Sequence, residues 1–261
     1  MTIRLQELLA QTAVTEHQVA VCSLGQAGYL FKLYPDRYLI IDPYFSNVCE
    51  QKLGFAFKRL MPSLIAPEEV AQLGLDAYLI THHHDDHLDS IGIEAIKDHP
   101  IPFYAPPDSI AILREIGIDP GRCSPLYPGA KYQVGDAVIH GVFADHGELA
   151  PDAVGIVIEA GGKTIYHMGD TCLHEAELVR VKEQFSIDLL IMPINGMYGN
   201  MDVAAAVKAV SILQPKYAAP CHFWMLPANS GGDVVAFLDA MASECPATEV
   251  LLFTQGEVCV L

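Results

Sequence analysis

Short apolar runs bounded by turn residues open the chain. Val19 to Leu24, Tyr29 to Tyr34 and Tyr38 to Ile41 are separated by Gly25-Gln26-Ala27-Gly28 and Pro35-Asp36, which predicts three strands in an antiparallel meander. The run Leu75 to Ile80 predicts a buried strand, and Asp89-Ser90 predicts the cap of a helix carrying Ile91, Ile93 and Ile96 inward. A strand at Phe103 to Ala105, a helix over Ser109 to Ile116 and a strand at Ala137 to Phe143 follow. Val154 to Glu159 and Lys163 to His167 form a hairpin around Ala160-Gly161-Gly162. Helices at His174 to Glu183, Val203 to Leu213 and Gly232 to Met241 then alternate with strands at Leu189 to Pro193, Lys216 to Pro220, Val250 to Phe253 and Val258 to Leu261. The residues up to Leu9 read as a short amphipathic helix. Strands come first and helices intervene between the later ones. That order predicts two sheets packed face to face with helices outside, rather than a singly wound parallel sheet.

Composition narrows this picture. With 261 residues, 51% of them hydrophobic, the chain can bury a sizeable core, and no linker or repeat divides it, so one domain over residues 1–261 is expected. A formal charge of -17, from 32 acidic against 15 basic residues, argues against a polynucleotide or an anionic membrane surface as partner. The densest basic cluster, Lys52, Lys58 and Arg59, suffices for one anionic group on a small molecule. No apolar stretch reaches about 18 residues, and the N-terminus lacks the features of a secretory signal. Seven scattered cysteines without a C-x-x-C pair suggest neither disulfides nor a zinc knuckle, and a reducing cytoplasm is expected.

The chemistry concentrates in Thr81-His82-His83-His84-Asp85-Asp86-His87-Leu88-Asp89. Read as H-x-H-x-D-H, it offers His82, His84, Asp86 and His87 as metal ligands where a strand ends. The first two histidines, spaced i, i+2, project to one side, and the latter two residues reach a second position. His83 and Asp85 alternate out of phase and are expected to point away. Three more predicted strands end at a ligand type: Asp145-His146-Gly147, Gly169-Asp170-Thr171 and Cys221-His222-Phe223. His146, Asp170 and His222 complete a set of five imidazoles and two carboxylates, enough for two adjacent cations. His167 is expected to support the site or the core, and Cys172 and Cys221 to pack.

On these residues, together with Gly25-Gln26-Ala27-Gly28 and Leu39-Ile40-Ile41-Asp42-Pro43, the chain resembles the metallo-β-lactamase superfamily over nearly its whole length. Leu75 to Asp89, Gly161 to Thr171 and Pro215 to Trp224 further resemble the branch of L-ascorbate-6-phosphate lactonase-like metal-dependent hydrolases. The resemblance implies an α+β fold, a four-layer αβ/βα sandwich of two mixed sheets with helices outside. It implies that His82, His84 and His146 hold one metal, that Asp86, His87 and His222 hold another, and that Asp170 bridges them.

Two cations about 3.5 to 4 Å apart share a water and present it as hydroxide to an electrophilic carbonyl or phosphorus. Asp86 is expected to orient that hydroxide and, with His222, to serve catalysis. Imidazole and carboxylate ligands without thiolate suit zinc by default, with manganese or iron also open. The expected function is hydrolysis of a small polar, anionic substrate, most sharply a sugar-phosphate-like lactone. A phosphodiesterase or nuclease on the same scaffold, or a non-hydrolytic metal or redox protein, is the alternative. Arg59, Asn195, Tyr198 and Trp224 are candidate substrate contacts, with Lys58 and Asn200 beside them. No macromolecular partner is expected beyond a second copy of the chain.

Overall fold

The computed structural model describes residues 4–223, 225 and 231–261. The predicted meander is formed by β1 (Val19–Gly25), β2 (Gly28–Leu33) and β3 (Arg37–Ile41), paired antiparallel, after a helix α1 (Leu5–Gln11). Two short helices, α2 (Val48–Leu53) and α3 (Pro67–Ala71), lead to β4 (Leu75–Leu79), which lies parallel to β3. Helices α4 (Ser90–Ile96) and α5 (Pro107–Ile116) then alternate with β5 (Phe103–Ala105) and β6 (Cys123–Pro125), both added in parallel.

A second sheet repeats the scheme. Strands β7 (Lys131–Val134), β8 (Ala137–Phe143), β9 (Val154–Ala160) and β10 (Lys163–His167) run antiparallel, joined by two-residue turns except between β8 and β9, where residues 144–153 form a longer loop. Helices α6 (Glu175–Gln184), α7 (Val203–Leu213) and α8 (Val234–Glu244) carry the chain across to the parallel strands β11 (Leu189–Pro193), β12 (Tyr217–Cys221) and β13 (Glu249–Val250). The last strand, β14 (Val258–Val260), returns to the first sheet and pairs antiparallel with β1. Each sheet thus has seven strands among the described residues, antiparallel where no helix longer than a single 3-10 turn separates consecutive strands and parallel where an α-helix makes the crossover.

Period-two alternation sorts side chains between layers. Val19, Phe31, Leu39, Ile41 and Leu79 of the first sheet meet Ile139, Ile156, Ile158, Leu189 and Ile191 of the second. The alternate positions Cys22, Leu30 and Ile40 face outward onto α1, α4 and α5, while Val157, Tyr166 and Leu190 face α6, α7 and α8. The four layers are therefore helix, sheet, sheet, helix, as the order of elements predicts. No helix among the described residues is long and apolar enough to cross a membrane.

The differences from the sequence reading have physical causes. Three-residue β6 ends on a proline at the sheet edge, where no ladder donor is needed, so it carries no strand pattern. Helices α2 and α3, of six and five residues, are shorter than two turns, too short to display helical periodicity. Predicted strand Val250 to Phe253 pairs only at Glu249–Val250, and Phe253 instead fills the space between the sheets. Helix α8 starts two residues later than expected because Asp233 caps it, accepting from the Ala236 amide.

Candidate metal centre

Four strand ends meet at one edge of the sandwich. The histidine-rich loop follows β4, His146 follows β8, Asp170 follows β10 and His222 follows β12. The loop is pinned at both ends by buried carboxylates. At its start, the Thr81 amide and hydroxyl both donate to Asp42, which stands at the end of β3. At its end, Asp89 is fully buried and accepts from the amides of Gly92, Phe45 and Ser46 and from the Ser46 hydroxyl. Between these anchors the chain folds back so that the Leu88 amide donates to the His84 carbonyl at 2.7 Å. Gly169, in the left-handed region at φ +64°, passes so close to Thr81 that a Cβ there would lie 2.9 Å from the threonine Cβ.

Seven side chains converge within this frame and sort into two groups. His82, His84, His146 and Asp170 place one ligand atom each within 4.8 Å of one another, and so do Asp86, His87 and His222. The Asp170 carboxylate stands between the groups: Oδ2 is 3.8 Å from His146 Nε2 and 3.1 Å from His222 Nε2, and Oδ1 is 3.4 Å from His87 Nε2. Asp86 Oδ2 lies 3.1 Å from His222 Nε2.

Partners outside the groups assign which ring nitrogens face inward. His84 Nε2 donates to the Leu149 carbonyl at 3.2 Å, leaving a lone pair on Nδ1. His87 Nδ1 donates to Asp42 at 2.7 Å, which turns Nε2 inward. Because the Thr81 hydroxyl gives its proton to Asp42, it accepts from His82 Nδ1, and His82 Nε2 carries the free lone pair. His82 Nε2 stands 3.0 Å and His146 Nε2 3.3 Å from His84 Nδ1, so three nitrogens crowd one point. Neutral imidazoles aimed at one another in this way are unfavourable without a cation between them. In the same place, His87 Nε2 and Asp170 Oδ1 are buried with no hydrogen-bond partner among the described residues. The donor set therefore fits divalent cations.

The electrostatics agree with that division. Burial, reinforced by neighbouring imidazoles, holds His82 and His84 below the ordinary histidine range and lowers His146 to about 4, so this trio stays neutral. In the second group burial opposes charge, but the carboxylates outweigh it: Asp170 and Asp86 raise His87 and lift His222 to about 9. Asp86 and Asp170 are correspondingly held far below the usual carboxylate range by these histidines, against the effect of burial. The two carboxylates thus favour positive charge at His87 and His222, the same side of the centre on which a cation would be held.

Four of the six non-glycine residues in the left-handed region, Gln26, Asp42, Tyr198 and His222, sit at this edge. Gln26 and His222 hold each other through a backbone hydrogen bond of 3.0 Å from the His222 amide to the Gln26 carbonyl. The Gln26 side-chain amide also donates to Asp86 Oδ2 at 2.9 Å. Asn200, considered above as a substrate contact, donates to Asp170 Oδ2 at 2.8 Å and positions that carboxylate. Asp42, Thr81 and Gln26 were not among the candidate site residues. For Asp42 a signal exists, an aspartate terminating the apolar run Leu39-Ile40-Ile41.

A cavity of about 370 Å³ opens beside the cluster, its lining shared by His84, Asp86, His146, Asp170 and His222 and by the apolar side chains of Leu53, Phe57, Leu149, Tyr198 and Met225. Several expectations change here. His83 and Asp85 both line the cavity instead of pointing away, because the loop turns and strand alternation stops at Thr81. Arg59 does not line it. Its guanidinium donates to the carbonyls of Tyr44, Ser46 and Met61 and stacks on the Tyr44 ring, so it braces backbone. Lys58 pairs with Glu50, and Asn195 is buried without reaching the cavity. Tyr198 does stand at the mouth, stacked on Phe57 at 6.3 Å. Trp224 lies outside the described residues. His167 supports the core as expected, its Nε2 donating to the Ala27 carbonyl and its Nδ1 accepting from the Gly169 amide, and Cys221 packs between the sheets.

Comparison with known proteins agrees with this architecture. The model of the beta-lactamase superfamily domain matches residues 37–223. A metal-dependent hydrolase of Aeropyrum pernix is 30% identical over 247 residues, covering 90% of this chain and 94% of that protein. One from Carboxydothermus hydrogenoformans is 28% identical over 247 residues, covering 91% and 98%. Among solved structures, a metallo hydrolase from the hyperthermophilic archaeon Ignicoccus hospitalis superposes with a TM-score of 0.75 at 23% identity, covering 94% of this chain and 98% of that one.

Proposed function

This chain belongs to the metallo-β-lactamase superfamily, as a metal-dependent hydrolase of it, and from that premise we propose that its centre hydrolyses carbonyl substrates, with lactone opening the sharpest form. The observation that carries the reading is the confrontation of the inward lone pairs of His82 and His84 at 3.0 Å, with His146 Nε2 3.3 Å from the same point and the Asp170 carboxylate beside them. His82, His84 and His146 would hold one divalent ion, Asp86, His87 and His222 a second, and Asp170 would lie between them. When bound, such ions supply Lewis acidity that brings the pKa of a shared water toward neutrality, and zinc, manganese and iron(II) all suit these ligands.

The remaining work falls to the chain's own groups. Asp86 Oδ2, held by the Gln26 amide, is placed to accept a hydrogen bond from an incoming water and aim it. His222, fixed by its backbone bond to Gln26, keeps its ring within 3.1 Å of both carboxylates. Asn200 restrains Asp170 from one side so that Oδ1 stays directed at the cluster. A phosphodiester reading draws no support from the cavity, since no lysine or arginine lines it among the described residues. The unpaired state of all seven cysteines supports a reducing compartment.

Lactone and ester hydrolysis should fall at least about a hundredfold on chelation and on His84→Ala, with bound metal measured in the same samples. Activity that survives both treatments sinks the hydrolase reading.

A further inference from the structure

We infer that the substrate of this centre is a neutral ester or lactone carrying an aliphatic chain, rather than an anionic sugar derivative; the inference rests on the hydrolase reading above. Two independent observations carry it. The first is charge. The cavity is lined by three carboxylates, Asp85, Asp86 and Asp170, and by no lysine or arginine among the described residues, while residues 224 and 226–230 contain neither. The nearby cations are committed elsewhere: Lys52 to Asp85 at 2.6 Å, Lys58 to Glu50 at 3.6 Å, and Arg59 to backbone carbonyls. With the histidines and any bound metal engaged at the reacting carbonyl, a phosphate or carboxylate elsewhere on the substrate would find no lysine or arginine along the described lining to receive it.

The second is the apolar part of the lining. Leu53, Leu149 and Tyr198 are 56%, 49% and 46% exposed although each lines the cavity, so large apolar surfaces are held open to water around one mouth. Phe57, stacked on Tyr198, and buried Met225 continue that surface inward. Apolar surface grouped beside a polar reaction centre is the usual composition of a small-molecule site, and covering it with an aliphatic chain recovers hydrophobic stabilisation. The carbonyl would then face the histidines and carboxylates while the chain lies along Leu53, Phe57 and Leu149. Hydrolysis there is redox-neutral. The carbonyl carbon gains the oxygen of water and its bond to the ester oxygen breaks; one water proton ends on the released alcohol and the other leaves with the acid.

The test uses the metal-loaded protein with 4-nitrophenyl acetate, butyrate, hexanoate and octanoate, the anionic 4-nitrophenyl succinate monoester, and calorimetric binding of 2-alkanones of rising length. Turnover, as kcat/KM, should rise about three- to fourfold per methylene until the cavity is filled. The succinate monoester should be at least tenfold slower than the butyrate, and ketone affinity should rise with length. Leu149→Lys, at a half-exposed position, should flatten the chain-length dependence and narrow the gap between succinate and butyrate at least fivefold. Ester turnover without length dependence, or faster turnover of the succinate, overturns the inference and leaves the hydrolase reading intact. If no ester turns over but ketone affinity still climbs with length, the hydrolase reading fails and the apolar site stands. Flat ketone affinity overturns the inference.

Discussion

Asp42 takes no place in either ligand group, yet it governs both through one carboxylate. It accepts from the Thr81 amide and hydroxyl and from His87 Nδ1 while fully buried, so it sets the position of the loop and the tautomer of a ring together. Asp42→Asn removes the charge that keeps His87 Nδ1 protonated and its Nε2 turned inward. Metal affinity, measured by titration against a competing chelator, should fall about 10- to 100-fold. Unchanged affinity would show that the Asp42 contact does not tune the ligand. At this scale the ligand types were legible in the sequence, because H-x-H-x-D-H has few other uses. Their supports were less so, since Gln26, Asp42 and Asn200 act through contacts across 60, 45 and 30 residues that no local pattern encodes. The bracing role of Arg59 was hidden for the same reason: its partners are carbonyls, which look alike in every sequence.

Elements with a strong period were read nearly to their boundaries, α7 and β11 among them. Short ones without a period, such as α2, α3 and β6, were not. That gap matters functionally, because α2 and the turn after it supply Leu53 and Phe57 to the cavity wall. The element that ties this excursion to the metal loop is α4. Its N-cap Asp89 also accepts from the Phe45 and Ser46 amides and the Ser46 hydroxyl, just before α2. Asp89→Ala strands those donors in a buried place and should cost about 2–4 kcal/mol, with the milder Asp89→Asn retaining part of it. Urea unfolding checks this through a lowered midpoint at constant slope. A loss below about 0.5 kcal/mol would mean that Asp89 is not the anchor of both segments.

Across the whole molecule, the two sheets bring the ends of β4, β8, β10 and β12 to one edge, so candidate ligands up to 140 positions apart in sequence, His82 and His222, stand in one cluster. Metal that binds only where those ends are assembled must stabilise the fold by mass action. At a hundredfold excess over Kd the gain is about 2.7 kcal/mol, or roughly 5–10 °C in Tm for a chain of this size. Calorimetry with and without chelator measures it, and a Tm indifferent to metal would count against the centre. By itself the sequence determined the layer order and brought forward the candidate ligand types, because hydrophobic period and donor chemistry are properties of residues in order. Only the tertiary structure decided which lone pairs face one another, that His83 and Asp85 line the cavity, and that apolar side chains but, among the described residues, no lysine or arginine complete its lining. Those facts depend on where loops distant in sequence pass one another, and packing of the two sheets fixes that only once both are formed.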